Sequence, residues 1–150
     1  SQFDSIAGYL SEGRESPIMT TVLGGEVPSS GPLTEGYYHV PTVFGGVSND
    51  FRLAQEEIFG PVLVAIPWTD VDDVVRMAND SNYGLAGGVW SADPERAIGV
   101  ARRIRTGQIE INGGAFNPLA PFGGFKQSGH GRENGRLGIE ELLVAKSLQL

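Results

Sequence analysis

The 150-residue chain contains no cysteine. That single absence removes disulfides, thiolate metal sites and a cysteine nucleophile together. Histidine is nearly absent as well. His39 and His130 stand far apart, and neither lies near carboxylates at ligand spacing, so no metal site is expected. Basic residues are in the minority, 11 against 18 acidic ones, giving a net charge of −7 that disfavours a nucleic-acid partner. No apolar run approaches about 18 residues, so no membrane span is expected. Ser1-Gln2-Phe3-Asp4 has neither a basic region nor a signal-like apolar core. A cytoplasmic protein is the resulting expectation.

Glycine is what the chain has in excess. Its 22 glycines are about twice the usual share of about 7% and follow no period, which points to tight turns and close backbone approaches. Helical spacing of apolar residues predicts three helices. Phe3, Ile6, Ala7 and Leu10 form one face, with Gly13 expected as its end. Val71, Val74, Val75 and Ala78 form the second, behind Asp70, Asp72 and Asp73. Ala97, Val100, Ala101 and Ile104 form the third, with Asp93 as N-cap, Pro94 at the first helical position and Gly107 past the end. Arg102, Arg103 and Arg105 then sit late in that helix, against its dipole.

Strands are expected at Met19–Leu23, Val62–Ile66, Leu85–Trp90 and Gln108–Asn112, with a weaker one at Val144–Leu150. The order strand, helix, strand, helix, strand over 62–112 is that of two successive βαβ units. It predicts an α/β fold with an open, mainly parallel sheet covered by helices. Residues 24–50 read as loop with an edge strand near Tyr37–Val40. Residues 113–136 are glycine-dense and aperiodic, and a long irregular stretch in a compact domain is usually functional.

The most informative stretch is Gln55-Glu56-Glu57-Ile58-Phe59-Gly60-Pro61-Val62. A strand starting at Val62 would hold Glu57 and Phe59 on a stiff turn at its entrance. A carboxylate beside an aromatic ring suits a ligand with hydroxyls and a flat ring. Glu56 and Glu57 read either as a general acid/base pair or as two solvated carboxylates. Adjacent residues on extended backbone point to opposite sides, against a shared task. The run Gly123–Gly135 begins a G-x-G pattern at Gly129 and Gly131, but no convincing strand precedes it, and Lys126 does not follow glycines as a P-loop lysine does. Ser128 lacks a His–Asp arrangement.

Several segments, in order, resemble the NAD(P)-dependent aldehyde dehydrogenases, specifically the C-terminal portion of that family. They are Gly36-Tyr37-Tyr38-His39-Val40-Pro41-Thr42-Val43, Glu56-Glu57-Ile58-Phe59-Gly60-Pro61-Val62, Ala78-Asn79 with Tyr83–Trp90, Gly107–Asn112, and Pro121-Phe122-Gly123-Gly124-Phe125-Lys126-Gln127-Ser128-Gly129 with Gly131-Arg132-Glu133. The resemblance implies oxidation of an aldehyde to a carboxylic acid with NAD or NADP. It implies that Glu57 hydrogen-bonds the nicotinamide ribose and that Phe59 packs by the nicotinamide. It places Phe122 near the substrate pocket, and Gly113, Gly114 and Phe116 in the variable loop lining the aldehyde tunnel. Residues 1–136 would be part of the catalytic domain, and 137–150 an arm for homo-oligomer assembly. The family's nucleophilic cysteine, general-base glutamate, oxyanion-hole asparagine and Rossmann domain have no counterpart here. The chain alone is therefore expected to be inactive, with no catalytic residue of its own and no tight hold on the cofactor. The alternative is a non-catalytic interaction module that kept the fold.

Overall fold

The structure is a computed structural model that describes residues 1–149. The fold is mixed α/β, and it divides into two compact units, residues 1–69 and 70–150.

The first unit opens with helix α1, Gln2–Glu15. Ser1 caps it, and Asp4 returns the contact in a capping box. Its apolar stripe buries Ile6, Tyr9 and Leu10 against Phe44, Val47, Leu53 and Ile58. Gly13 does not end this helix, which runs on to Glu15. A side chain there would lie 2.5 Å from the Phe44 ring, so the glycine exists for packing. Strands β1 (Thr20–Leu23), β2 (Thr42–Gly45) and β3 (Val62–Val64) form one sheet in that order, β1–β2 antiparallel and β2–β3 parallel. The edge strand expected at Tyr37–Val40 does not form; the strand of this region is β2, Thr42–Gly45, and it is central in its sheet. The strand's start is set by Thr42, which is buried and hydrogen-bonded twice through its hydroxyl: it donates to the Val40 carbonyl (2.8 Å) and accepts from the Gly25 N–H (2.9 Å). A short helix, α2 (Arg52–Gln55), leads into the Glu56–Pro61 turn.

The second unit holds α3 (Val71–Asn79), β4 (Ala86–Val89), α4 (Pro94–Ala101), β5 (Gln108–Ile111) and the short α5 (Gly135–Glu140). Asp93 caps α4 ahead of Pro94, as the spacing predicts, and Asp70, expected only as an acidic residue at the helix start, caps α3 by accepting from the Asp73 N–H. Helix α4 stops at Ala101. Arg102 is its C-cap and Arg103 and Arg105 follow it, so the basic cluster sits at and beyond the helix end. Strands β4 and β5 pair in parallel around α4, one of the two expected βαβ units. The other is not a shared sheet: β3 pairs with β2, and β4 pairs with β5. Residues 144–149, expected as a strand, carry no regular structure, and Leu150 lies outside the described residues.

Candidate functional site

Residues 56–61 are pinned from several sides. Ile58 is buried in the core beneath them. The Gln2 side-chain amide donates to the carbonyls of Ile58 (3.1 Å) and Phe59 (2.9 Å). Gly60 lies against Ile6, where a side chain would come within 2.5 Å of the Ile6 terminal methyl. The Pro61 carbonyl accepts from the Thr42 N–H at 2.9 Å, which begins the β2–β3 ladder. Phe59 has φ of 54°, a left-handed conformation that costs an L-residue about 1 kcal/mol or more. Such a conformation persists because its surroundings are fixed on both flanks.

The alternation along this turn separates the two carboxylates. Glu56 turns inward. Its Oε2 accepts from the Tyr9 hydroxyl (2.6 Å) and from Arg52 Nε (2.9 Å), while Arg52 also reaches Glu12 at 2.5 Å and lies 4.2 Å over the Tyr9 ring. Glu57 and Phe59 turn outward, and Phe59 is 76% exposed. The acid/base-pair reading of Glu56 and Glu57 therefore fails on geometry, since Glu56 is committed to Tyr9 and Arg52. The result is a stiff edge that presents one ring and one carboxylate, without a hydrogen-bond partner among the described residues, to solvent.

The Tyr9 hydroxyl, then Arg52, hold the Glu56 carboxyl below its ordinary value of 4.5, and Glu56 raises the Tyr9 phenol in return. A depressed carboxyl contributes stability that is complete above the unfolded-state value and is lost as pH falls through the lower folded value. Glu56→Gln is expected to destabilise the chain at neutral pH, and the gap from wild type should close as pH drops below about 4.5. Urea midpoints across an acid series check this. A gap independent of pH would contradict it.

The glycine-rich run of the second unit is a clamp. Lys126, at φ of 57°, donates from Nζ to the carbonyls of Asn79 (2.7 Å) and Ser81 (2.6 Å), just past the end of α3. Ser128 Oγ accepts from the Gly84 N–H at 3.0 Å, and the Gly84 carbonyl accepts from both Phe125 and Gly107. The Lys126 ammonium is thus occupied by backbone carbonyls, and Ser128 Oγ is occupied by the Gly84 N–H. Phe122 and Glu133 exchange two backbone hydrogen bonds of 2.7 Å and close the loop. Arg132 crosses its inside, donating to the carbonyls of Gly124 and Gly131.

Of the residues expected at a substrate pocket, Phe116 and Phe122 meet edge-to-face with ring centres 6.3 Å apart. Gly114 and Phe116 line a cleft of about 320 Å³ with Ile109, Ile111 and Pro121. Gly113 (φ 73°) is exposed at the turn out of β5. Phe122 borders a larger open cleft of about 1080 Å³ shared with Leu85, Leu119, Arg132 and Ile139. His39 is structural: its ring stacks on Phe3 at 4.3 Å, and Nε2 donates to the Phe3 carbonyl. Among the described residues, no three His, Asp or Glu side chains gather as metal ligands, and no helix is long and apolar enough to cross a membrane.

The sequence profile of the aldehyde dehydrogenase family matches residues 1–148. A protein of Staphylococcus saprophyticus, itself only provisionally assigned as an aldehyde dehydrogenase, is 45% identical over 98% of this chain. The crystal structure of a Mycobacterium tuberculosis aldehyde dehydrogenase complexed with NAD+ superposes on 93% of the chain, with a TM-score of 0.87 and 47% identity. A mutant of a Pseudomonas syringae aldehyde dehydrogenase, complexed with NAD+ and octanal, superposes on the same share at 0.87 and 44% identity. The chain belongs to the aldehyde dehydrogenase family. It spans about 30% of the length of the Staphylococcus saprophyticus relative and 28% of each of the two solved chains.

Proposed function

We propose that this chain is the C-terminal portion of an aldehyde dehydrogenase catalytic domain and supplies one wall of the NAD(P)+ site. The observation that carries the reading is the pinned turn that turns Glu57 and Phe59 outward while Glu56 is tied to Tyr9 and Arg52. A ribose diol is a two-donor group, and an ionised carboxylate with both oxygens free can accept from both hydroxyls. An exposed ring beside it offers a flat apolar face to a nicotinamide. Glu57 and Phe59 therefore fit the group in donor chemistry and in exposure. When bound, NAD(P)+ takes up the hydride released by aldehyde oxidation. This chain's residues bind and orient; with no thiol among its 150 residues, it has no group to form the family's covalent intermediate.

On the same reading, Phe116, Phe122 and the Gly113–Gly114 turn border the aldehyde site. Residues 137–150 are the assembly arm of a homo-oligomer, supported by the exposure of Leu142, Leu143, Val144 and Leu148. That exposure also favours the second reading, an assembly module without catalysis. NADH formation by the isolated chain with a panel of aldehydes tests the division of labour. Background rates are expected, and turnover well above background would overturn the assignment of the chemistry to other residues.

A further inference from the structure

Asn-Gly occurs twice, at Asn112-Gly113 and Asn134-Gly135, and the fold treats the two steps in opposite ways. Asn112 closes the β4–β5 pair: its Nδ2 donates to the Ser91 carbonyl (3.0 Å), and its Oδ1 accepts from the Ser91 N–H (2.9 Å). Asn134 is exposed and lies ahead of α5 at φ of 62°, yet its side chain makes no capping hydrogen bond. Among the described residues nothing hydrogen-bonds its amide group. The Gly135 N–H has no partner there either, as expected for the first residue of a helix.

We infer that Asn134 is a site of spontaneous deamidation, while Asn112, with the same following glycine, is protected by its two contacts to Ser91. In the reaction the Gly135 nitrogen loses its proton and bonds to Asn134 Cγ. The Cγ–Nδ2 bond breaks, and Nδ2 leaves as ammonia with that proton. Water then opens the cyclic imide at either carbonyl, giving aspartate or isoaspartate. One water is consumed, one ammonia is released and nothing is oxidised or reduced. Glycine permits the step because it has no side chain to shield its nitrogen, and closure needs rotation about Asn134 bonds that no side-chain partner restrains, at the cost of one backbone hydrogen bond, from the Gly138 N–H to the Asn134 carbonyl (3.0 Å). At Asn112 the same rotation first breaks two hydrogen bonds that join the ends of β4 and β5. The product at 134 adds a negative charge at the start of α5. Its isoaspartate form also adds a methylene to the backbone between the Phe122–Glu133 pair and that helix.

The test compares the folded chain with the same chain in denaturant, both held at mildly alkaline pH. Cleavage at Lys126 and Lys146 then places Asn134 in fragment 127–146 and Asn112 in fragment 1–126, and mass spectrometry locates the product. In denaturant the two sites should react at comparable rates. In the folded chain Asn112 should slow by about tenfold or more, as expected for two side-chain hydrogen bonds that must break, while Asn134, with no side-chain hydrogen bond to break, should slow clearly less. Asn134→Gln should abolish the product in fragment 127–146 and leave Asn112 unchanged. Equal slowing of both sites on folding, or faster reaction at Asn112, would overturn the inference.

Discussion

Gly107→Ala is expected to destabilise the second unit by about 3 kcal/mol, the upper end of what overpacking costs in a well-packed interior. A methyl group built on Gly107 would lie 1.6 Å from the Gly123 carbonyl oxygen and 3.2 Å from that of Leu85. Both obstacles are backbone, so no rotamer change relieves them. Gly123 has no room to retreat, because it approaches the Gly131 carbonyl in the same manner and sits at φ of 155°. The Gly107 N–H also donates to Gly84, whose carbonyl carries Phe125 as well, so a shift at 107 loosens the clamp around Lys126. Gly99 is the matched control. It lies inside α4 with nothing within 4 Å of the added carbon, and Gly99→Ala should stabilise by about 0.5–1 kcal/mol. Urea unfolding of the two variants checks the pair. Similar midpoints for both would show that the close approach at 107 does not matter.

Glu57→Ala is expected to have the largest functional effect. The chain matches its Staphylococcus saprophyticus relative over 98% of its own length, so it can replace the corresponding segment of that longer protein. In the resulting chimera, removal of the carboxylate should raise KM for NAD+ about tenfold, equivalent to about 1.4 kcal/mol. That is the lower end for hydrogen bonds to a charged acceptor, as suits a group on an exposed edge. The alanine leaves Ile58, Gln2 and Thr42 in place, so the turn itself should survive.

The sequence and the structure agree where a residue's role is local. Asp70, Asp93 and Pro94 act at helix starts through contacts two or three residues away, and both helix starts were legible. Glycine is where local reading failed. Gly13 and Gly107 resemble helix ends because glycine favours that position, but each is required by a partner far along the chain, Phe44 and Gly123 respectively. The strand expected near residue 40 failed for a similar reason: aromatic residues at Tyr37 and Tyr38 suggest a strand, whereas the buried Thr42 hydroxyl decides where pairing begins. The partners of Lys126, the Asn79 and Ser81 carbonyls past the end of α3, lie 47 and 45 positions away and left no local signal.

At the candidate site, the i, i+4 pairing of Arg52 and Glu56 depends on α2, a helix that the apolar spacing did not predict. The Tyr9 contact, 47 positions from Glu56, was not visible. It is the contact that separates the roles of two neighbouring glutamates. The family motif pointed to Glu57 and Phe59; in the fold these two are exposed, whereas Glu56 is tied to Tyr9 and Arg52.

The most direct test of that division is the KM for NAD+ of the chimera carrying Glu57→Ala, beside the same chimera with Glu57 intact. A rise of about tenfold is expected with the fold preserved, consistent with a charged hydrogen bond lost at the cofactor. An unchanged KM in a folded, active chimera would contradict the claim that this turn is a wall of the nicotinamide-ribose site.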